Sequence, residues 1–339
     1  MTWQEVLENA RKNLNNDNCC ACPVCNGRAC GNKVPGPGAK GSGDGAIRNF
    51  DAWRNIRVNL DTICPNADLD TTIELFGRSF AYPIFAGPVG AVRQHYGDCY
   101  DDVTYNRALV PGCAEAGIAA FTGDGIDDSV MVAACDAIRE SGGVGIPTVK
   151  PWDEITVREK FALVRASGAF AVAMDVDAAG LPFLKGRIPP AGRKSQEELA
   201  EIIREAGVPF IVKGVMTVAG AEKALAAGAA AIIVSNHGGR VLDGCPGTAE
   251  VLPEIVDAVG GKIKILVDGG IRSGLDVFRA LAIGADAVVV ARPYVTAIYG
   301  GGVEGIRVLT EKLGGELKDV MQMVGANTLA DINRSMIHI

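Results

Sequence analysis

Only three histidines occur in 339 residues, aromatic side chains make up 6%, and no apolar run is long enough to cross a bilayer. Each scarcity excludes something. A spanning helix needs about 18 or more consecutive apolar residues, so no membrane-crossing segment is expected. Lys and Arg (33) do not outnumber Asp and Glu (40), and the net charge of −7 comes without a long basic run. Neither nucleic acid nor an anionic membrane surface is therefore expected as a partner. The opening residues Met1-Thr-Trp-Gln-Glu-Val-Leu7 lack the basic-then-apolar order of a secretory leader, which leads to the expectation of a cytoplasmic protein. No apolar strand runs into a Gly-x-Gly-x-x-Gly turn, which disfavours the runner-up architecture, an open doubly wound sheet.

What is present points to one large α/β domain. At 48% hydrophobic, 339 residues can bury a large core, and one barrel with an extension fits this length better than several small domains. From Tyr82 onward, short apolar β-branched runs recur at 83–88, 119–123, 144–149, 169–176, 210–214, 230–235, 264–269 and 287–292. Helical periodicity fills most of the gaps, as at 195–205, 219–227, 247–259 and 274–283, and a last helix is expected over 303–323. Strands that are apolar on both faces belong to parallel sheets covered by helices. Eight such units predict a closed (β/α)8 TIM barrel over residues 81–339.

Residues 1–80 read as an N-terminal helical, cysteine-rich extension. Thr2 and Glu5 stand in capping-box spacing and start a short helix, residues 46–60 look helical, and Thr72-Ile-Glu-Leu-Phe76 reads as β. Between them lies Val34–Gly45, a glycine-rich loop expected to be mobile. Five of the ten cysteines (Cys19, Cys20, Cys22, Cys25 and Cys30) fall in one short segment, whereas Cys113 and Cys135 sit in helical patterns as small core residues.

In a TIM barrel, ligands meet the loops that follow the strands. The sixth strand ends Ser235-Asn-His-Gly-Gly-Arg240, placing an imidazole and a guanidinium three residues apart at a strand end. His237 can accept a proton near neutral pH, and Arg240 can fork onto a carboxylate. The seventh strand ends Asp268-Gly-Gly-Ile-Arg272 and the eighth Ala291-Arg-Pro-Tyr294. Glycine N–H groups and two arginines at this position suit a phosphate. Lys213, ending the fifth strand, needs a partner for its charge; it could hold an anion, form a Schiff base, stabilise a ring's negative charge, or pair with Asp175, Asp177 or Asp268.

Taken together, Lys213-Gly-Val-Met, Ser235-Asn-His-Gly-Gly-Arg240, Asp268-Gly-Gly-Ile-Arg272 and Arg292-Pro293 resemble the FMN-dependent α-hydroxy acid oxidase/dehydrogenase family of glycolate oxidase- and lactate oxidase-like proteins. The resemblance is dense from about Phe210 to Tyr294. It implies an FMN across the barrel mouth, with Gly269, Gly270, Arg272, Ala291 and Arg292 around its phosphate, and Ser235 and Asp268 near its ribityl chain. Pro88, Val89, Gly90 and Thr122 would face its ring, and Lys213 its N1/O2 edge. It further implies a small anionic 2-hydroxy acid as substrate, clamped by Arg240, with His237 as base oriented by Asp177. A homo-oligomer is expected. The rival readings are another FMN barrel enzyme, a reductase or isomerase of a small anionic substrate, and a non-catalytic flavin or metal redox sensor.

The N-terminal half departs from that pattern. The family's Tyr-Tyr-x-x-Gly segment is replaced by Asn32-Lys-Val-Pro-Gly-Pro-Gly38, and its Gln-x-Tyr after the third strand by Pro147-Thr148. Lys185 and Arg187 are the nearest candidates for its second substrate arginine; His95 and Tyr96 could reach the substrate space, with a solvated loop histidine as the other reading of His95, and His338 reads as an exposed tail residue. Cys19-x2-Cys22-x2-Cys25-x4-Cys30 resembles iron–sulfur ligand spacing, with a longer closing gap. A four-cysteine zinc site and metal-free thiols are the alternatives. An iron–sulfur cluster there would suit electron transfer to a carrier protein.

Overall fold

The computed structural model describes residues 1–15 and 17–339. Eight parallel strands follow one another: β1 Ile84–Ala86, β2 Phe121–Thr122, β3 Ile146–Val149, β4 Val172–Asp175, β5 Phe210–Val215, β6 Ala231–Val234, β7 Lys264–Val267 and β8 Ala287–Val290. Each pairs with its sequence neighbour, β8 pairs with β1, and a parallel bridge between Ala86 and Ala120 closes the circle. This is the (β/α)8 barrel.

Period-two alternation sorts each strand's side chains. Phe85, Phe121, Ile146, Ala173, Ile211, Ile233, Leu266 and Val289 point inward and fill the barrel. Their neighbours Ile84, Val149, Val172, Val212, Ile232, Val267 and Val288 face the helices in a second, larger core. Two residues beyond the inward apolar layer, the same parity delivers Thr148, Asp175, Lys213, Ser235 and Asp268 to the barrel's C-terminal end. All five are buried.

The helices after the strands stop and start where local chemistry dictates. Ser195 caps Gln196–Ala206 with Glu198 completing a capping box, and Gly207 ends it in the left-handed region (φ 73). The final helix differs from expectation. It runs Arg292–Met323, broken at Gly302 (φ 54, ψ −135), so the expected 303–323 helix is its second half. Pro293 at the first turn starts a helix rather than ending a strand.

Residues 1–80 wrap both ends of the barrel. The hairpin Ile73–Leu75/Arg78–Phe80 plugs the N-terminal end, with Phe80 edge-on to Phe85 (ring centroids 5.1 Å apart). The helix Trp3–Asn13 carries the expected Thr2/Glu5 capping box. A second helix, Asp44–Asn55, stops short of residue 60; Arg57–Val58 instead pairs with Ile337–His338, so His338 is exposed but tied into a strand. That second helix lies across the mouth. Asn49 and Asn236 exchange amide hydrogen bonds (2.7 and 3.0 Å), and Trp53 Nε1 donates to the Gly269 carbonyl (2.8 Å). Ala10, Leu14, Ala52, Trp53 and Ile56 join the same core as the barrel helices, and Cys113 and Cys135 are buried as expected. No helix among the described residues is long and apolar enough to cross a membrane.

Candidate active site

The polar layer at the C-terminal end forms the floor of a cavity of about 760 Å³. Lys213 Nζ donates to Ser235 Oγ (3.0 Å) and lies 3.4 Å from Asp268 Oδ2. Burial works against its charge, but Asp268, Asp177 and Asp175 together hold the lysine above its ordinary range.

His237 stands on the rim for a local reason. The chain leaves β6 through three left-handed residues, His237 (φ 56), Gly238 (φ 63) and Gly239 (φ 81), which turn the imidazole into the mouth. A non-glycine residue there is strained and needs supports. Its N–H donates to Ser235 Oγ (3.1 Å), and its Nδ1 meets Asp177 Oδ1 at 3.0 Å, leaving Nε2 for a ligand. Asp177 reaches it from the turn after β4 because residue 214 is glycine; a Cβ there would sit 2.6 Å from the Asp177 Cβ. Burial lowers the His237 pKa despite Asp177's attraction, so the ring is neutral near pH 7. Burial pushes Asp177 the other way, yet His237 and Lys213 keep it below the usual carboxylate range. A neutral base backed by a carboxylate results.

The end expected to take a phosphate is built from the loops after β7 and β8. Gly269 and Gly270 adopt φ 86 and 84, and a Cβ at Gly270 would overlap the Asn49 carbonyl oxygen. Arg272 Nε donates to the Cys25 carbonyl (2.7 Å) and Arg292 Nη2 to the Gly238 carbonyl (2.8 Å). Pro88, Val89, Gly90, Lys213, His237, Arg240, Asp268, Gly269, Gly270, Arg272, Ala291 and Arg292 all line the cavity. Ser235, Asp177 and Thr122 do not; the first two act from behind through Lys213 and His237. The buried Oγ1 of Thr122 and of Thr148, and Asp268 Oδ1, have no hydrogen-bond partner among the described residues. A flat anionic cofactor with polar ring edges fits this donor set: two arginines at one end, an apolar wall at Pro88 and Val89, and a lysine in the floor.

Several residues fall differently from expectation. The glycine-rich loop is folded over the site rather than free. Arg240 Nη1 donates to the carbonyls of Gly36 (2.5 Å) and Gly38 (3.0 Å), and Lys40 N–H donates to the Gly239 carbonyl (2.8 Å). His95 is buried (5% exposed), not solvated, because the Gly36 N–H donates to its Nδ1 (2.9 Å). Lys150 is absent from the expected site residues, yet it lines the cavity with Nζ 2.5 Å from Asp175 Oδ2. The alternation Ile146, Thr148, Lys150 along β3 carries that signal, as Ile211 and Lys213 do along β5. Arg187 borders the cavity and Lys185 does not.

Cys19, Cys22, Cys25 and Cys30 lie together beside Arg272, but no three of their sulfurs approach within 4.8 Å of one another among the described residues. A metal would require the segment to draw its thiols inward. Burial pushes the Cys19 thiol up to about 12 and raises Cys22 and Cys30. The donor atoms that do meet that distance belong to Asp175, Asp177 and His237, where Lys150 and Lys213 already balance the charge.

Comparison with known proteins accords with this geometry. Residues 37–186 and 184–339 match the family model described as FMN-dependent dehydrogenase. The 4-hydroxymandelate oxidase of Amycolatopsis orientalis is 30% identical over 343 residues, 88% of this chain and 90% of that protein. The L-lactate oxidase of Lactobacillus jensenii is 34% identical over 207 residues, 60% of this chain and about half (51%) of that protein's length. Among solved structures, a mandelate oxidase variant with 2-hydroxy-phenylacetamide superposes with a TM-score of 0.81 at 27% identity, covering 99% of this chain and 97% of that one.

Proposed function

Since this chain belongs to the family of FMN-dependent dehydrogenases, we propose that it oxidises a 2-hydroxy acid to the 2-oxo acid. FMN bound here would supply a two-electron acceptor for the hydride lost from C2, with negative charge developing at one ring edge. Arg272, Arg292 and the Gly269-Gly270 amides would hold its phosphate, and Lys213 would meet the charge at the ring edge. Arg240 takes the substrate carboxylate through the guanidinium edge that the Gly36 and Gly38 carbonyls leave free. His237 Nε2 removes the hydroxyl proton while the C2–H bond breaks, and Asp177 stabilises the imidazolium that forms. The electron pair leaves with the hydride and the proton stays on His237, so the step balances.

The carrying observation is the partly buried His237–Asp177 pair at 3.0 Å with its second nitrogen turned to the cavity. The names of the relatives, lactate and hydroxymandelate oxidases, support the substrate class. Anaerobic mixing of FMN-loaded protein with a panel of 2-hydroxy acids tests it. At least one acid is expected to bleach the flavin, and a panel with no bleaching overturns the reading. A finer proposal concerns the thiol segment, whose spacing supports an accessory iron–sulfur or zinc site once its thiols are drawn together.

A further inference from the structure

His95 and Arg240 present a mismatch that an acceptor placed between them resolves. A backbone N–H can only donate, so the hydrogen bond from Gly36 (2.9 Å) requires His95 Nδ1 to be unprotonated. The neutral ring then carries its proton on Nε2. Burial, with Arg240 alongside, lowers the His95 pKa to about 4, which keeps this tautomer near neutrality. That Nε2–H faces Arg240 Nη2 at 3.4 Å, and a guanidinium has donors only. Two N–H groups therefore converge with no acceptor between them, on the wall of the cavity that both residues line.

We propose that His95 is a substrate-binding residue, its Nε2–H and the Arg240 guanidinium together receiving one oxygen of the ligand carboxylate. The inference rests on the 2-hydroxy acid reading for the ligand's chemistry, but not on the oxidation step. It gives the substrate space a second donor in a chain whose N-terminal loop carries no tyrosine. In that loop the Gly36 amide fixes an imidazole tautomer, and the Gly36 and Gly38 carbonyls aim the arginine. Phe183, with its ring centroid 6.2 Å from that of His95, packs against the imidazole from the side. Neutral, rigid and buried, the imidazole adds direction where the guanidinium adds charge.

Oxalate, which offers the carboxylate but no C2 hydrogen, separates binding from chemistry. Its affinity for the FMN-loaded protein is read from the shift it causes in the flavin spectrum or by calorimetry. His95→Asn keeps an acceptor near the Nδ1 position for Gly36 but removes the reaching donor. It is expected to weaken oxalate by roughly 10- to 100-fold, the usual range for a hydrogen bond to a charged group. His95→Gln, which restores an N–H near the Nε2 position, is expected to recover part of that loss. With substrate, His95→Asn should raise KM far more than it lowers kcat. An unchanged oxalate Kd in His95→Asn overturns the proposal, as does a parent protein that binds no oxalate. If the parent binds oxalate through His95 but no 2-hydroxy acid bleaches the flavin, the oxidation reading falls and this one stands.

Discussion

Replacing Asp177 with Asn keeps the shape behind His237 and removes the charge. The two side chains are 17% and 10% exposed and their atoms meet at 3.0 Å, so water screens the pair only partly. Unit charges about 4 Å apart interact by roughly 4 kcal/mol at an effective dielectric of ~20. A hydrogen bond to a charged group contributes about 1.5–3 kcal/mol net. The imidazolium formed on proton transfer thus loses about 1.5–4 kcal/mol of support, slowing the step by roughly 10- to 1,000-fold. The pH dependence carries a sign. Burial already lowers the His237 pKa and the Asp177 charge is the chief influence raising it, so Asn moves the pKa further down. The acid limb of the rate profile, set by protonation of the base, moves to lower pH while its plateau falls. Anaerobic stopped-flow of flavin reduction across pH reads both. A plateau at the parent level, or an acid limb displaced upward, refutes the pairing.

Arg292→Ala removes a charge-assisted contact to the cofactor phosphate and should weaken FMN by roughly 10- to 100-fold, measured by equilibrium dialysis. Lys213→Met leaves the Asp268 carboxylate buried without its cation, and thermal or denaturant unfolding should register a loss of about 3–5 kcal/mol along with slower flavin reduction. Gly270→Ala drives a methyl into the Asn49 carbonyl, so the 44–55 helix shifts; weaker FMN binding and a lower melting temperature are expected, and parent-like values for both contradict the close packing. For the cysteines, anaerobic metal analysis decides: stoichiometric iron or zinc supports the accessory-site proposal, and its absence at both metals removes it.

The barrel was legible because its strands are apolar on both faces and β-branched, and eight such runs alternate with helical stretches, as parallel, helix-covered strands do. Their ends were legible for the same reason: alternation places Lys213, Ser235 and Asp268 on the inward parity, so the floor of the site follows from the strands. Lys150 obeys the same rule, one alternation beyond Thr148. The rim was a different matter. His95 meets Gly36 across 59 positions and Arg240 across 145, and Arg240 meets Gly36 across 204, contacts that no local pattern encodes. A glycine-rich run reads as a mobile loop, and only the arginine beneath it gives its carbonyls a place to bind. The cysteines show the converse limit, since spacing along the chain does not bring sulfurs together in space.

The most direct test compares parent and His237→Ala, both loaded with FMN and mixed anaerobically with a 2-hydroxy acid that bleaches the parent. The account predicts that the variant retains its flavin but reduces it slower by several orders of magnitude. Reduction of the variant's flavin at the parent rate would contradict it.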